Sequence, residues 1–376
     1  MKITHIVYSY LGGPPSLVQS FLNQKNSKNV ESAIYVGPKI FMSTLKYKRF
    51  LPDNIYHIKT IRFLSIFYFY KVLLRLIKTK PQIIVLHNYQ IIPCLIYKLF
   101  FFTKIIYVDH QGFSTKTYKD RFVLEISKLF VEHYIALNRD NYNFLNTKLK
   151  INKKKISIIN NGIDLKFYKP TKKKKNQKIL RVGMAARLNT SRNHKLIIQA
   201  INSSLLKNIE IKCSFAGDGE LMDNLKKFTK NKVTKKQFIF NGLLDQQNLK
   251  RWYSDLDLYI QSTKGEGMSI SLIQAMAMGI PVLASNVTGI KTFLNPRKFI
   301  GIVFENNKIS LSKKIKQFFL MKNNDKKKIS NNQKLFVKNN FSKTNMIRKY
   351  NKLYKKIIKK KLNKVILKLL FNILNI

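Results

Sequence analysis

The stretch that decides the fold is residues 262–289, STKGEGMSISLIQAMAMGIPVLASNVTG. It follows an apolar run at 256–260 that is typical of a buried strand, and a helix is predicted to begin at about Ser269. Gly279-Ile280-Pro281 should end this helix before a second buried strand, PVLAS. The order of strand, loop, helix and strand predicts a parallel α/β sheet.

The loop in this stretch places a carboxylate between two glycines. Gly265 and Gly267 flank Glu266, and glycine lets the backbone adopt a positive φ or come close to a ligand. Ser269 is a suitable N-cap, and the free N–H groups behind it, at the positive end of the helix, suit a phosphate. We therefore expect this loop to bind a ligand.

The run EGMSISLIQAMAMGIPVLAS resembles the signature of the family-four retaining nucleotide-sugar glycosyltransferases, which have the GT-B fold. That signature is a Glu, seven residues, a second Glu and then Ala-Met-Ala-x-Gly-x-Pro-Val. Glu266 matches the first Glu, which in the family holds donor-sugar hydroxyls. Gln274 stands at the second, which holds the ribose hydroxyls. Because charge-assisted hydrogen bonds are roughly twice as strong as neutral ones, Gln274 should change donor affinity or nucleotide preference.

Two arginines lie on a loop in the second half of the chain. Arg187 and Arg192 follow a predicted strand at 179–185 and precede a helix that begins near His194. Two cations beside a helix N-terminus are well placed for a diphosphate, although solvated arginines are the alternative in so basic a chain. Family members carry Arg-x-x-x-x-Lys here, so the resemblance implies that Arg187 and Arg192 hold the leaving diphosphate.

His87 and His110 each end a predicted strand in the first half. Either histidine can be a proton carrier or a hydrogen-bonded cap. His110-Gln111-Gly112 resembles a His-Gly turn that the family places between donor and acceptor, which implies that His110 is a site residue. For His87 the interpretation as a hydrogen-bonded cap is retained.

A glycine pair, Gly12-Gly13, follows the first predicted strand. The resemblance implies that it approaches the phosphates or the sugar of the donor, although Pro14-Pro15 stiffens the turn. The full G-x-G-x-x-G fingerprint of a dinucleotide site does not occur here, which argues against a hydride-transfer enzyme.

Alternating strands and helices, restarting after residue 178, predict two domains of the same class. Between them, Asn161-Gly162-Ile163-Asp164 resembles the family's hinge, and the lysines at 172–175 predict a solvated linker. The fold class is α/β, with two Rossmann-like parallel-sheet domains facing across a cleft and C-terminal helices crossing back to the first domain. We predict domains at 1–165 and 166–345 and a basic amphipathic helical segment at 346–376, and the chain after Ile290 should be mostly helical.

The resemblance implies a retaining, metal-independent glycosyltransferase that needs no cofactor. It would move a sugar from a nucleotide-diphosphate sugar to a glycan or glycolipid acceptor, in cell-surface polysaccharide or lipopolysaccharide synthesis. The predicted catalytic residues are Glu266, His110, Arg187 and Arg192. The predicted donor-binding residues are Gly12, Gly13, Arg187, Arg192, Glu266, Gly267, Met268, Ser269, Ile270 and Gln274.

The charge balance raises a competing class of function. Lys and Arg number 71 against 18 Asp and Glu, a formal net charge of +53, which ordinarily points to nucleic acid or an anionic membrane. Lys, Asn and Ile all have A/T-rich codons, so genome composition explains much of the excess. A nucleic-acid-binding protein and a catalytically silent relative stay as alternatives, but scattered lysines argue against nucleic acid.

The ends of the sequence predict a cytoplasmic protein. The apolar start at residues 1–7 is too short for a secretory signal, and no window has 18 uncharged apolar residues. The final stretch, KKIIKKKLNKVILKLLFNILNI, can lie on an anionic membrane as a basic amphipathic helix or can be an ordinary packed terminus. A peripheral position on the inner membrane face is the corresponding expectation.

Overall fold

The computed structural model describes residues 1–8, 13–24, 28–37, 54–59, 66–87, 91–110, 116–170, 179–230, 238–287, 289–290, 294 and 301–359. The chain divides into two compact units. The first unit comprises Met1–Gln111, Lys116–Asn160 and Thr344–Ile376, and the second comprises Gly112–Thr115 and Asn161–Lys343. The domain limits given above, 1–165 and 166–345, stay a prediction.

The first unit contains a seven-stranded parallel sheet in the order β3-β2-β1-β4-β5-β6-β7. Its interior strands are almost entirely buried and read as continuous apolar runs, as expected for a parallel sheet covered on both faces. The strands are β1 Lys2–Tyr8, β2 Val30–Gly37, β3 Ile55–Lys59, β4 Ile83–His87, β5 Lys104–Asp109, β6 His133–Ala136 and β7 Ile156–Ile158.

Helices of the first unit pack on this sheet through apolar faces. Val72 and Leu76 of one helix belong to the same hydrophobic core as Ile84 and Leu86 of β4. The described helices are α1 Gly13–Leu22, α2 Ile66–Thr79, α3 Ile91–Phe100, α4 Tyr118–Ser127 and α5 Arg139–Asn143, the last continued by a π-helical turn at Phe144–Lys148.

The second unit contains a six-stranded sheet in the order β10-β9-β8-β11-β12-β13. The strands are β8 Leu180–Ala185, β9 Ile211–Ala216, β10 Phe238–Phe240, β11 Leu258–Gln261, β12 Val282–Ser285 and β13 Ile302–Phe304. The helices are α6 His194–Ile201, α7 Met222–Lys230, α8 Gln246–Ser254, α9 Ile270–Ala277, α10 Lys308–Leu320 and α11 Asn323–Asn340.

β13 is a strand that was not predicted from the sequence. It lies in the part of the chain that was expected to be mostly helical, and it pairs in parallel with β12 through Leu283 and Ile302. Its three residues are too short a run to show strand periodicity, so pairing with an existing sheet edge decides its conformation.

Both sheets share one topology, and it identifies where ligands bind. In each, the strand order reverses beside the first strand, between β1 and β4 in the first unit and between β8 and β11 in the second. Ligands of such open sheets bind outside the carboxyl ends of the strands at this switch point. The predicted class of two Rossmann-like parallel-sheet domains is confirmed.

The C-terminal helix α12, Lys343–Ile358, completes the first unit. Its Tyr350 ring contacts Phe21 of α1 edge to face with centroids 4.9 Å apart, and the Asn351 side chain accepts a hydrogen bond of 2.9 Å from Asn29. The helix therefore returns to the first unit, as predicted. Most of the proposed membrane-binding segment, residues 360–376, lies outside the described residues. Within the described ranges, no helix has both the length and the apolar character needed to span a bilayer.

Candidate functional site

The loop after β8 is a tight reversal that positions Arg192. The Asn189 side chain accepts a hydrogen bond of 3.2 Å from the Arg192 N–H and so caps a 3₁₀ turn at Thr190–Arg192. Asn193 then adopts the left-handed region with φ 44°, which asparagine tolerates better than most residues, and α6 begins at His194. Arg187 is exposed on the same loop beside the fully buried Leu188.

The loop after β11 is hydrogen-bonded to the loop after β8. The Lys264 N–H donates to the Ser191 carbonyl at 2.9 Å, and the Thr263 hydroxyl donates to the same carbonyl at 3.1 Å. The Ser262 hydroxyl donates to the Asn193 carbonyl at 3.2 Å. Because β8 and β11 are neighbours at the switch point, these bonds make one connected surface of the two loops.

Arg192 and Glu266 form a bidentate ion pair on this surface. Arg192 Nη1 donates to Glu266 Oε2, and Arg192 Nη2 donates to Glu266 Oε1 at 3.3 Å. The Glu266 side chain is only 10% exposed and that of Arg192 is 26% exposed, so solvent screens the pair weakly. Burial acts to lower the pKa of Arg192, but the carboxylate beside it raises that pKa overall, which keeps the guanidinium charged.

A glycine with positive φ lets a third loop approach Glu266. Gly289 follows β12 with φ +85°, and a Cβ built there would lie 1.8 Å from the carbonyl oxygen of Glu266. Gly217, after β9, is a similar case with φ +135° and a Cβ position 2.0 Å from the Ala186 carbonyl. These two positions therefore need glycine for conformation and for space.

The helix α9 begins beside the ion pair with a free N-terminal face. Ser269 is its N-cap, as predicted, and the Ser269 hydroxyl accepts a hydrogen bond of 3.3 Å from the Leu272 N–H. The N–H groups of Ile270 and Ser271 belong to the first turn, which has no intrahelical acceptors for them. Gly267 and Met268 precede the cap and are buried, and the Met268 sulfur accepts from the Asn161 N–H at 3.3 Å.

Gln274, one turn further along α9, belongs to a tyrosine cluster. Its Oε1 accepts a hydrogen bond of 3.2 Å from the Tyr253 hydroxyl, which also donates to the Ser271 carbonyl at 3.0 Å. Burial raises the pKa of Tyr168 to about 12, and a hydrogen bond to Gln274 opposes that rise. The position that the family signature gives to a carboxylate is thus a neutral amide among phenols.

The predicted site residues are divided between the two units. Arg192 and Glu266 are in direct contact, and both adjoin the start of α9. In the first unit, Gly13 begins α1 and His110 follows β5, where its ring is hydrogen-bonded to His87 at 2.8 Å. Gly12 lies outside the described residues.

Two residues that support the ion pair were not predicted. Asn189 stands three residues before Arg192, the spacing of a cap, so sequence reasoning had a signal for it. Thr263 lies 3.5 Å from Arg192 Nη1 through its hydroxyl and also donates to the Gly265 carbonyl at 2.8 Å. Nothing in the sequence distinguishes Thr263 from an ordinary loop residue.

Residues 166–336 match the family described as Glycosyl transferases group 1. The matched residues fall within the second unit. The predicted resemblance to the family-four, GT-B class is therefore confirmed. All three of the contacts that define the site, the ion pair, the loop bonds and the cap of α9, lie within the matched residues.

Named relatives share part of the chain. Over 169 residues it is 24% identical to the alpha-monoglucosyldiacylglycerol synthase of Streptococcus pneumoniae, covering 42% of this chain and 38% of that protein. Over 194 residues it is 26% identical to an Escherichia coli UDP-Gal:alpha-D-GlcNAc-diphosphoundecaprenol alpha-1,3-galactosyltransferase, covering 46% and 48%. The chain thus matches less than half the length of these two relatives.

A solved structure shares the fold over nearly the whole chain. Anabaena Alr3699/HepE, solved in complex with UDP and glucose, has a TM-score of 0.77 at 14% sequence identity. The match covers 95% of this chain and all of the HepE chain. At this level of identity the likeness shows the GT-B fold alone.

Proposed function

We propose that this protein is a retaining glycosyltransferase. It moves a sugar from a nucleotide-diphosphate sugar to a glycan or glycolipid acceptor in cell-surface polysaccharide or lipopolysaccharide synthesis. Arg187 and Arg192 hold the diphosphate, Glu266 holds donor-sugar hydroxyls, and His110 contributes from the first unit.

The observation that carries the proposal is the Arg192–Glu266 pair beside the start of α9. A cation, a carboxylate and free N–H groups are held together at the switch point of a parallel sheet. When a diphosphate leaves an anomeric carbon, negative charge grows on the departing oxygen while the sugar becomes cationic. Fixed cations and N–H dipoles stabilise that negative charge without reorganising, and a carboxylate suits the hydroxyls of the sugar.

The same arrangement accounts for a metal-independent reaction. The family needs a positive group at the leaving diphosphate, and Arg192, whose pKa is raised by Glu266, stays charged across the physiological range. A guanidinium also matches the geometry of phosphate oxygens through paired N–H donors. We therefore assign to Arg187 and Arg192 the role that a divalent cation has in other classes of transferase.

The acceptor and the location follow from the relatives' names and from charge. One relative is named for a diacylglycerol lipid and the other for a diphosphoundecaprenol carrier, both of which belong to membranes. The net charge of +53 favours an anionic surface or a phosphorylated acceptor. We propose a lipid-linked acceptor and a cytoplasmic protein that binds peripherally to the inner membrane face.

A panel of nucleotide sugars tests the proposal directly. Purified protein is screened by thermal shift for binding and by donor hydrolysis for activity. With the donor that responds, Glu266→Ala and Arg192→Ala should each lower turnover by at least ~100-fold, the size of losing one transition-state contact. Arg251→Ala is the matched control, because Arg251 is an exposed arginine of α8 in the same unit.

Near-wild-type turnover in both site variants would remove this assignment of the site. A second candidate function, a catalytically silent relative, is favoured by the neutral Gln274 at a position where the family has a carboxylate. A folded protein that neither binds nor hydrolyses any nucleotide sugar in the panel would establish that alternative.

A further inference from the structure

Four side chains of the first unit form a continuous hydrogen-bonded chain that ends at His110. Glu31 Oε2 lies 2.9 Å from Nε2 of His5, and Nδ1 of His5 lies 3.0 Å from Nε2 of His87. Nδ1 of His87 lies 2.8 Å from Nε2 of His110. The four side chains come from β2, β1, β4 and the end of β5, which are neighbours in this order in the sheet.

The interior of this chain is sealed from solvent and sterically fixed. His5 and His87 are fully buried, and Glu31 is 5% exposed. The His5 ring stacks on Phe21 with centroids 4.9 Å apart and on His87 with centroids 5.3 Å apart. The rings therefore cannot rotate to other partners without disrupting the sheet and α1.

The number of protons gives the chain a direction. A neutral imidazole has one N–H, and a carboxylate only accepts hydrogen bonds. With Glu31 ionised and His5 carrying one N–H, His5 donates from Nε2, which leaves its Nδ1 as an acceptor. His87 must then donate from Nε2 to His5, and His110 must donate from Nε2 to His87. The last ring in the series is left with its Nδ1 unprotonated.

The electrostatics agree with neutral rings at the end of the chain. Burial, with the neighbouring His110 and His5, lowers the pKa of His87 well below its ordinary value. Burial also lowers the pKa of His110 to about 3, and the charge of Lys116 acts in the same direction. Neither ring then holds a second proton at neutral pH, so one tautomer of each satisfies all three hydrogen bonds.

We propose that Glu31, through His5 and His87, sets the tautomer of His110 so that its Nδ1 is a hydrogen-bond acceptor. Glu31, His5 and His87 are positioning residues in this scheme. Resting on the proposed function, the ligand group that His110 recognises is a hydroxyl, which donates to Nδ1, rather than a phosphate or carbonyl oxygen, which needs an N–H. The inference gives His87 a role that the sequence analysis did not assign to it.

The tautomers can be read directly in the full-length protein without any ligand. In protein labelled with ¹⁵N-histidine, two-bond ¹⁵N–¹H correlation spectra show which ring nitrogen of each histidine carries hydrogen. Three of the 6 histidines in the sequence do not belong to the hydrogen-bonded series. These three, His57, His133 and His194, are assigned by single substitution with glutamine. We expect protonated Nε2 and unprotonated Nδ1 in His5, His87 and His110.

Substitution of the carboxylate tests what sets the direction. In Glu31→Gln the amide can donate as well as accept, so the reversed series becomes possible and the Nδ1–H form of His110 should appear. Glu31→Asp keeps a carboxylate and should keep the wild-type tautomer. Glu132→Gln is the matched control, because it removes a carboxylate of the same unit that pairs with Lys98 at 2.5 Å and, among the described residues, has no hydrogen bond to His5, His87 or His110.

An Nδ1–H signal for His110 in the wild type overturns the proposal, and so does a Glu31→Gln spectrum identical to the wild type. If Glu31→Gln does not fold, the wild-type and Glu31→Asp spectra decide the question. Sugar transfer should fall about tenfold in Glu31→Gln, which corresponds to about 1.4 kcal/mol, and should stay near wild type in Glu132→Gln. A protein without transferase activity refutes the proposed function alone, because the tautomers are measured without substrate.

Discussion

The two units bury polar groups in opposite ways. In the second unit, two full and opposite charges meet across two loops, as Arg192 and Glu266. In the first unit, Glu31 is followed by three histidines that neighbouring strands hold in series. A pair carried by loops can open for a ligand that brings its own charge, whereas a series fixed by strand register can only change the positions of its protons. The ion pair carried by loops suits binding of a charged leaving group. The histidine series suits fixing the tautomer of one ring.

If the loops of the second unit are the part that opens for a ligand, disturbing their close approach should have the largest effect on stability. Gly289→Ala adds a Cβ 1.8 Å from the Glu266 carbonyl at φ +85°, and backbone cannot yield cheaply there. Strain and overlap together should lower the free energy of unfolding by about 4 kcal/mol. Fluorescence of Trp252, the single tryptophan of the chain, reports urea unfolding of the second unit.

Gly242→Ala is the control for Gly289→Ala. Gly242 also has a positive φ, +64°, but a Cβ there would meet nothing within 4 Å. Its substitution should cost only about 1–2 kcal/mol, the conformational part alone. Equal losses of unfolding free energy in the two variants would show that the close approach of Gly289 to the Glu266 carbonyl does not affect stability.

Removing one partner of the ion pair should cost more stability than removing both. Arg192→Met leaves the carboxylate of Glu266, which is 10% exposed, without its cation, and unfolding of the second unit should become easier by about 3 kcal/mol. Adding Glu266→Gln to that variant should restore about 1 kcal/mol, because the uncompensated charge is then gone. Trp252 fluorescence again follows the transition. Losses that simply add would mean that the two side chains do not depend on each other.

The units also differ in whether their buried histidines have hydrogen-bond partners. His194, in the second unit, is 2% exposed, and neither ring nitrogen has a hydrogen-bond partner in the described structure. Burial lowers its pKa to about 4, and the nearby Arg192 acts in the same direction. The unfolded chain therefore takes up a proton at this site from about pH 6.5 downwards, whereas the native state does not until about pH 4. Stability is lost as the pH falls through this window.

His194→Leu should remove that loss. Between pH 7.5 and pH 5 the wild type should lose about 2 kcal/mol more than the variant, which is about 1.4 kcal/mol per pH unit over the 1.5 units below 6.5. Phe215→Leu, which removes a ring 5.3 Å from His194 but keeps the imidazole, is the control and should retain the pH dependence. A wild type and a His194→Leu variant with parallel pH profiles would contradict the lowered pKa.

The site of the second unit was predictable because its residues are close together in sequence. Glu266, Ser269 and Gln274 fall within one strand–loop–helix unit, where caps and glycines have known spacings. The direct pairing of Glu266 with Arg192 was not predictable, since the sequence analysis gave these residues to the sugar and to the diphosphate separately. Only the parallel order of β8 and β11 brings the two loops together.

The histidine series of the first unit left no pattern in the sequence. Its members lie at positions 5, 31, 87 and 110, and the sheet order β2-β1-β4-β5 alone makes them neighbours. A histidine at the end of a predicted strand can be a proton carrier or a hydrogen-bonded cap, and His87 was interpreted as a cap. Strand positions and helix caps follow local rules, whereas side-chain partners across strands depend on register, which a single sequence does not give.

The smallest expected effect comes from giving the second unit the charge that its family signature contains. Gln274→Glu places a carboxylate on α9 next to the Tyr253 hydroxyl, which already bonds to this side chain at 3.2 Å. If position 274 holds ribose hydroxyls, neutral hydrogen bonds become charge-assisted, and a gain of about 1 kcal/mol should tighten nucleoside diphosphate binding about fivefold. Isothermal titration calorimetry with a nucleoside diphosphate measures the change. Gln246→Glu, at an exposed position of α8, adds the same charge to the same unit and should leave the affinity unchanged. Tighter binding in both variants would mean that net charge alone is responsible, and unchanged or weaker binding in Gln274→Glu would separate this position from the ribose.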